Sequence, residues 1–257
     1  MEKNQEINPT VMRFLLWTGI VVIAALIIAQ GFIMGFVPGV SPNLSAAETA
    51  KIFIERKDNI LLGSLIQCMC WCLYGTWCIP ICIFIRKMER GVPALTYASL
   101  VNNGGGWVFF ILIPVTWTAI AFRAETLDPQ IIQIMNDWVW FVWLFTWPSF
   151  SVWMFIIAAA IFMDYNVPTI YPRWVAFFNV WCGILISPAG LIGFFKKGPF
   201  AYDGMISFWF AVFVFFGWML VMTLVSFRVV TEQDRKQRGL APTSGSPSGK
   251  PNALPAT

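Results

Sequence analysis

Six long apolar stretches make up most of the chain, and the central part of each contains no acid, base or histidine. A helix needs roughly 20 consecutive apolar residues to cross a bilayer. Within lipid a segment must satisfy its own backbone hydrogen bonds, which a helix does. The pattern therefore predicts six transmembrane helices, at about Val11–Val37, Ile60–Ile85, Pro93–Phe122, Trp138–Met163, Trp174–Phe195 and Met205–Val229.

The composition agrees with a membrane protein, because 58% of the residues are hydrophobic and only 12% are charged. A soluble domain carries about 25% charged residues. A transmembrane β-barrel would show alternating polar and apolar residues, and runs such as Phe210–Gly217 do not alternate. We predict an all-α integral membrane protein with a six-helix domain at residues 11–230, a lead at 1–10 and a disordered, Pro- and Ser-rich tail at 231–257.

The basic residues predict an orientation, because Lys and Arg in short loops favour the cytoplasmic side. Eleven of the 17 lie on the side that holds both termini, and six lie on the other. This predicts a multi-pass protein of the bacterial inner membrane with both termini in the cytoplasm. The short basic run Arg86–Arg90 is typical of a segment that contacts lipid headgroups, and no nucleic acid is expected as a partner.

The first outer loop contains the pattern of a helix start. Ser45 is followed three residues later by Glu48, as in a capping box. The predicted helix covers Ala46–Lys57, and its apolar face would hold Ala50, Phe53 and Ile54. Such a helix either lies on the outer membrane surface as an amphipathic element or covers an outward-facing cavity.

Four stretches of the sequence resemble those of an uncharacterised family of bacterial multi-pass membrane proteins. They are SAAETAKIFIERKDNILLG (45–63), QIIQIMNDW (130–138), PRWVAFFNVW (172–181), and GPFAYDG (198–204) with the following Phe208-Trp209. The resemblance covers roughly residues 10–230 and implies the six-span topology. The family has no assigned activity. The resemblance of this chain to the family favours an apolar small molecule such as a steroid as the ligand. It supplies no catalytic residue.

The absent residues exclude several kinds of chemistry. A chain without histidine cannot bind haem or iron through imidazole and cannot use histidine as a general base. Every lysine lies in a loop or terminus, which argues against a retinal Schiff base. No acid is central in a span, which argues against a proton relay. We therefore predict no catalytic residue, no metal and no cofactor.

Five of the six cysteines lie in the second span. At about 100° per residue, Cys68, Cys72, Cys78 and Cys82 share one helix face, and Cys70 points away. Thiolates at such positions suit a soft metal such as Cu(I). The absence of a Cys-x-x-Cys pair and of a second ligand type favours the other interpretation, in which the thiols act as small apolar packing residues.

The polar exception within the spans is Asn102-Asn103-Gly104-Gly105-Gly106-Trp107 in the third span. Amides in hydrocarbon are costly unless they form hydrogen bonds, and each glycine weakens a helix by roughly 1 kcal/mol relative to alanine. One interpretation is close helix packing, with the amides bonding to a neighbouring helix. The other is a helix broken at Gly104, Gly105 and Gly106, whose freed backbone lines a cavity.

Four spans also contain an interior proline, and Pro148 and Pro188 lie near mid-depth. Proline removes a backbone hydrogen bond and can kink a helix. Such kinks either shape the bundle or open space between helices. We predict hinges at Pro148 and Pro188, in addition to the three glycines of the third span.

The leading hypothesis is a protein that binds, takes up or delivers an apolar small molecule of steroid or aromatic type through a neutral intramembrane cavity. A few polar groups in an apolar pocket are typical of a small-molecule site. The predicted ligand-binding residues are Asn102, Asn103, Trp107, Asn179, Ser149, Ser187 and Gln67. Membrane lipid is the other expected partner.

Two alternatives remain open. One is a non-catalytic scaffolding subunit, whose partner is another membrane protein or a second copy of the chain. The other is a membrane enzyme that uses a cysteine or Asp137. A thiol in apolar surroundings is protonated and unreactive, which argues against the cysteine version.

Overall fold

The computed structural model describes residues 6–240, and all regular structure within them is helical. Within residues 6–240, six helical spans are long and apolar enough to cross a membrane, which confirms the predicted all-α integral membrane fold. The spans are Pro9–Ile33, Lys57–Met88, Ala94–Phe122, Pro129–Phe162, Arg173–Gly193 and Met205–Gln237. Because the number of spans is even, the start of the first span and the end of the sixth lie at the same end of the bundle. This end is called the termini end.

Eight α-helices make up these spans and the loop before the second span. They are α1 (Pro9–Leu26), α2 (Ala46–Glu55), α3 (Lys57–Met88), α4 (Ala94–Phe122), α5 (Pro129–Trp140), α6 (Trp147–Phe162), α7 (Arg173–Leu185) and α8 (Ala211–Gln237). The fourth span therefore consists of α5 and α6 with a short segment between them. The end of the bundle away from the termini is called the opposite end.

The fourth span starts well before the predicted Trp138, because α5 begins at Pro129. The Asp128 carboxylate accepts a hydrogen bond from the Gln130 N–H at 2.8 Å. Pro129 occupies the first turn, where a backbone N–H would have no partner within the helix, so its absence costs nothing. Asp137, which directly precedes the predicted start of this span, lies within α5 instead.

The sixth span is also longer than predicted, since α8 continues to Gln237 and the tail cannot begin at residue 231. Asp234 stabilises this extension by pairing with Arg238 at 2.7 Å on its own helix and with Arg13 of α1 at 3.4 Å. Residues 241–257 of the predicted tail and residues 1–5 of the predicted lead lie outside the described residues.

The six spans form a ring in chain order. α1 packs on α3, α3 on α4, α4 on α6, α6 on α7 and α7 on α8, and contact between α8 and α1 closes the ring. Eight aromatic side chains from the second, third, fourth and sixth spans fill its centre through contacts of their rings. This central aromatic cluster consists of Trp71, Tyr74, Trp77, Phe110, Phe150, Trp153, Phe215 and Trp218.

The predicted capping box is present at the start of α2. The Ser45 N–H donates to the Glu48 carboxylate at 2.8 Å, and the Glu48 N–H donates to the Ser45 hydroxyl at 3.3 Å. The helix packs mainly on α5, so its buried face contacts protein at the opposite end of the bundle. Phe53 is buried as predicted, but Ile54 is 44% exposed because Thr49 shares the buried face instead.

The helices are regular near the termini end and irregular toward the opposite end. Wider π-helical turns replace the α-helix at Ile27–Ile33, Phe141–Phe145 and Met205–Phe210. Tighter 3-10 turns replace it at Ser187–Gly193. In contrast, α4 is one continuous helix, so the break that the sequence allowed at its three glycines does not occur.

Candidate functional site

Four of the seven predicted ligand-binding side chains bond to another helix. Asn103 accepts a hydrogen bond from the Cys78 thiol at 2.9 Å, and the Trp107 indole N–H donates to the Trp71 carbonyl at 2.7 Å. Both contacts join α4 to α3. The Asn103 amide and the Trp107 indole therefore behave as helix-packing groups in this structure.

The other two members of this group lie elsewhere in the bundle. Asn179 is fully buried on α7 and accepts a hydrogen bond from the Trp218 indole N–H at 2.8 Å. Gln67 is fully buried on α3, and its amide nitrogen donates to Gln30 of the first span at 3.3 Å. The Gln67 side-chain oxygen has no partner within residues 6–240.

The remaining three predicted residues are only half-buried. The Asn102 amide donates to the Ala98 carbonyl of its own helix at 2.9 Å. The hydroxyls of Ser149 and Ser187 form no side-chain hydrogen bond within the described chain. None of the seven residues lines either of the two cavities described below, so their role in ligand binding stays a prediction.

An apolar cavity of about 40 Å³, here called the intramembrane cavity, lies between the third, fourth, fifth and sixth spans. It is bounded toward the centre by Phe110, Phe150 and Phe215 of the central aromatic cluster. Every lining side chain is apolar or aromatic, and the remaining ones are Trp143, Leu144, Trp147, Ile186, Ala189, Ala211, Val212 and Phe216.

Irregular backbone surrounds this cavity. The segments Phe141–Phe145, Ser187–Gly193 and Met205–Phe210 pack in sequence, the first on the second and the second on the third. Their residues, or residues directly after them, supply several walls of the cavity. Single π-helical turns occur often at functional sites. Non-helical backbone at membrane depth is tolerated where it is buried in protein or lines a cavity.

The predicted proline hinges lie at these irregular segments. Pro148 is in the first turn of α6, directly after the π-helical turn, and Pro188 is within the 3-10 segment. The Pro188 carbonyl accepts a hydrogen bond from the buried Ser207 hydroxyl at 2.9 Å. Gly190 permits close contact with Trp147, since a Cβ at Gly190 would lie 2.5 Å from the indole nitrogen.

The predicted glycine hinges are placed differently. Gly104 and Gly105 are exposed on α4, and a Cβ at either position would meet no atom within 4 Å. Gly106 alone faces a neighbour, because its Cβ would lie 3.0 Å from the Phe150 ring. Only Gly106 therefore contributes to close helix packing.

A polar pair lies at the opposite end of the bundle. The Tyr202 hydroxyl, in the loop before the sixth span, donates to the Asp137 carboxylate at 2.7 Å. The Tyr202 ring stacks on Trp140 with 5.6 Å between ring centroids. Burial first, and the Asp137 charge second, raise the pKa of Tyr202 well above its ordinary value, so the phenol remains protonated and remains a donor.

The sequence did not identify the aromatic side chains that line the intramembrane cavity, such as Trp143 and Phe216. The sequence signal for the cavity was the interior proline in each of the fourth and fifth spans, because these prolines mark irregular helical segments. With 14 tryptophans and 24 phenylalanines, the aromatic residues alone did not indicate which ones meet. No protein-family model, no curated protein sequence and no solved structure matches this chain.

Proposed function

We propose that the protein binds an apolar small molecule of steroid or aromatic type in the intramembrane cavity and takes it up or delivers it within the membrane. The observation that carries the proposal is the packing of three irregular helical segments, from three different spans, around a cavity with only apolar walls. Ordinary helix packing does not require such departures. The excess of basic residues on the side that holds both termini supports an inner-membrane protein with cytoplasmic termini.

The size of the cavity defines how a ligand enters. A dry cavity of roughly 150 Å³ holds one benzene molecule, and the intramembrane cavity has about 40 Å³. A ring system therefore enters only when side chains at the cavity move. Trp147 and Phe216 are half-buried, as are Trp143 and Val212, and rotation of such side chains would widen the cavity. The cavity is expected to be larger than about 40 Å³ when a ligand is bound.

Energy transfer from protein tryptophans to the fluorescent sterol dehydroergosterol tests the proposal in detergent micelles. Ala189 is 2% exposed and lines the cavity, so Ala189→Phe should fill it and reduce sterol affinity at least tenfold. Phe216→Ala should enlarge the cavity and raise the affinity several-fold.

The matched control is Ala119→Phe, which adds the same ring at an exposed position of α4 away from the cavity. Thermal unfolding of each variant separates loss of binding from loss of fold. The proposal fails if folded Ala189→Phe and Phe216→Ala both bind sterol as the control does. It also fails if energy transfer does not saturate for the unchanged protein.

A further inference from the structure

A second pocket lies at the opposite end of the bundle, where the loop after the first span folds against α2. It has a volume of about 210 Å³ and is here called the Arg56 pocket. Its apolar walls are formed by Phe36, Pro38, Val40, Leu44 and Ile52. Among the described residues, one charged residue lines it, Arg56, which is the residue between α2 and α3.

The backbone fixes the Arg56 guanidinium at the pocket. One terminal nitrogen, Nη1, donates to the Met34 and Gly35 carbonyls at 3.3 and 3.2 Å. Gly35 has φ of +67°, and a Cβ there would lie 2.3 Å from Nη1. Glycine is therefore required both for the backbone conformation and for the close approach of the cation.

The guanidinium charge is not neutralised within the described part of the chain. Arg56 has no carboxylate within 4.0 Å there, whereas its neighbours Glu55 and Lys57 pair with Lys51 and Glu125. An arginine has five N–H donors in a planar fork that matches a carboxylate. The Nε and Nη2 groups of Arg56 have no hydrogen-bond partner in residues 6–240, so these donors are available.

A further donor lies at the same pocket, and Trp140 contacts the wall at Gly39 without lining the pocket. The Ser41 oxygen accepts long hydrogen bonds of 3.4 Å from Asn43, which leaves its own proton available. Gly39 also lines the pocket, and a Cβ there would lie 2.1 Å and 2.4 Å from Cζ2 and Cε2 of Trp140. The attached indole N–H of Trp140 is fully buried and has no partner within residues 6–240.

We propose that the Arg56 pocket binds a small carboxylate whose body is an apolar ring or a short alkyl chain. Arg56 and Ser41 would donate to the carboxylate, and the apolar walls would contact the body. The pocket exceeds the roughly 150 Å³ that holds benzene, whereas a two-chain lipid is too large for about 210 Å³. This site lies apart from the intramembrane cavity and does not depend on the function proposed for it.

Radiolabelled phenylacetate is a suitable probe, with the full-length protein held in phosphatidylcholine nanodiscs. Binding is expected to saturate, and unlabelled phenylacetate should compete while neutral phenylacetamide should compete at least tenfold less well. Arg56→Gln should weaken binding at least tenfold, and Ser41→Ala a few-fold. Lys51→Gln removes an exposed charge from the neighbouring α2 without touching the pocket and should bind as the unchanged protein does.

The outcomes separate this site from the other proposal. Folded Arg56→Gln that binds phenylacetate normally would overturn the carboxylate site, and so would equal competition by phenylacetamide. Ala189→Phe, which fills the intramembrane cavity, should leave phenylacetate binding unchanged. In nanodiscs with anionic phosphatidylglycerol, unchanged binding supports a free carboxylate. Complete displacement by the lipid would show a headgroup site instead and overturn the proposal.

Discussion

Around Trp77 the rings of Tyr74, Trp153 and Trp218 lie 5.6 to 5.9 Å away, and the indole N–H donates to the Thr223 hydroxyl at 2.8 Å. Around Trp143, nearer the opposite end, comparable rings lie at 5.2 and 5.8 Å, yet this side chain borders a cavity. The two regions use the same residue types. They differ in backbone, because regular helices surround Trp77 and π-helical and 3-10 turns surround Trp143.

This comparison indicates that the backbone, more than the side-chain chemistry, decides where space remains in an aromatic bundle. Regular helices place ridges and grooves at fixed intervals, so large rings can interlock. A π-helical turn shifts the following side chains around the helix axis and spoils that register. A substitution at the centre is therefore expected to lower the free energy of unfolding more than one at the opposite end. Four substitutions test that difference.

The largest effect is expected at the centre. Trp77 is fully buried, and Trp77→Ala removes its ring contacts and leaves the buried Thr223 hydroxyl without its donor. We expect a loss of about 3–5 kcal/mol in the free energy of unfolding. Unfolding in mixed detergent and dodecyl sulfate micelles, followed by circular dichroism, measures this loss. Trp143→Ala should lose clearly less, and an equal loss would contradict the comparison.

The next effect concerns a contact at the opposite end, between Gly39 in the loop after the first span and Trp140 of α5. Gly39→Ala places a Cβ 2.1 Å from the fully buried Trp140 ring, so ring or loop must shift. Overpacking of this kind should lower the free energy of unfolding by about 2–3 kcal/mol in the same assay. Gly31→Ala is the matched control, because its Cβ would meet nothing closer than 3.9 Å. Similar losses in both variants would show that Trp140 does not set the constraint.

A smaller effect is expected from the polar pair at that end. Tyr202→Phe removes a hydrogen bond to the half-buried Asp137 carboxylate and should lower the free energy of unfolding by about 1.5 kcal/mol near neutral pH. Because the folded-state pKa of Tyr202 is raised, the folded protein holds this proton more tightly than the unfolded chain. Stability should therefore fall as pH rises above about 10, the ordinary tyrosine value.

The phenylalanine variant also tests that pH dependence. Its alkaline loss of stability should be smaller than that of the unchanged protein, measured as midpoints of unfolding between neutral and alkaline pH. Identical slopes in the two proteins would mean that Tyr202 does not titrate as the structure implies. Tyr97, which is exposed on α4, offers a control as Tyr97→Phe.

The smallest effect is expected at the start of α2. Ser45→Ala removes the helix cap and should lower the free energy of unfolding by about 1 kcal/mol. The Ser45 hydroxyl, and then its N–H, lower the pKa of Glu48, so the part of the cap that depends on the Glu48 carboxylate is present above the ordinary carboxyl pKa and is lost as pH falls through the lowered one. The difference between Ser45→Ala and the unchanged protein should therefore shrink in acid. A difference that is constant with pH would contradict the capping box.

The sequence predicted the parts of the fold that depend on local composition. The six spans and the Ser45 cap follow from apolar length and from one short motif. The start of α5 was missed, although Asp128-Pro129 is a known helix-start signal, because the polar residues that follow it interrupt the apolar run. The end of α8 was missed for a similar reason, since a charged stretch can continue a helix when Asp234 pairs with Arg13.

The candidate sites were less predictable because they depend on contacts between distant spans. Asn103 and Asn179 were predicted as ligand-binding residues, and both amides are buried in the structure, but a single sequence does not show that Cys78 and Trp218 are their partners. Arg56 was counted only as one of the six basic residues on the side away from the termini. Its position beside Gly35 depends on the fold of the loop after the first span. The prolines indicated irregular helices, and the cavity follows only when three such segments pack together.

The contact between α1 and α8, reinforced by Arg13 and Asp234, has a consequence for biosynthesis. The first span is synthesised and inserted long before the last one. Until α8 is inserted, the surface of α1 that contacts α8 has no partner helix. The bundle cannot close until α8 has been synthesised and inserted. A chain truncated before α8 should therefore persist as an open assembly and become a substrate for membrane quality-control proteases.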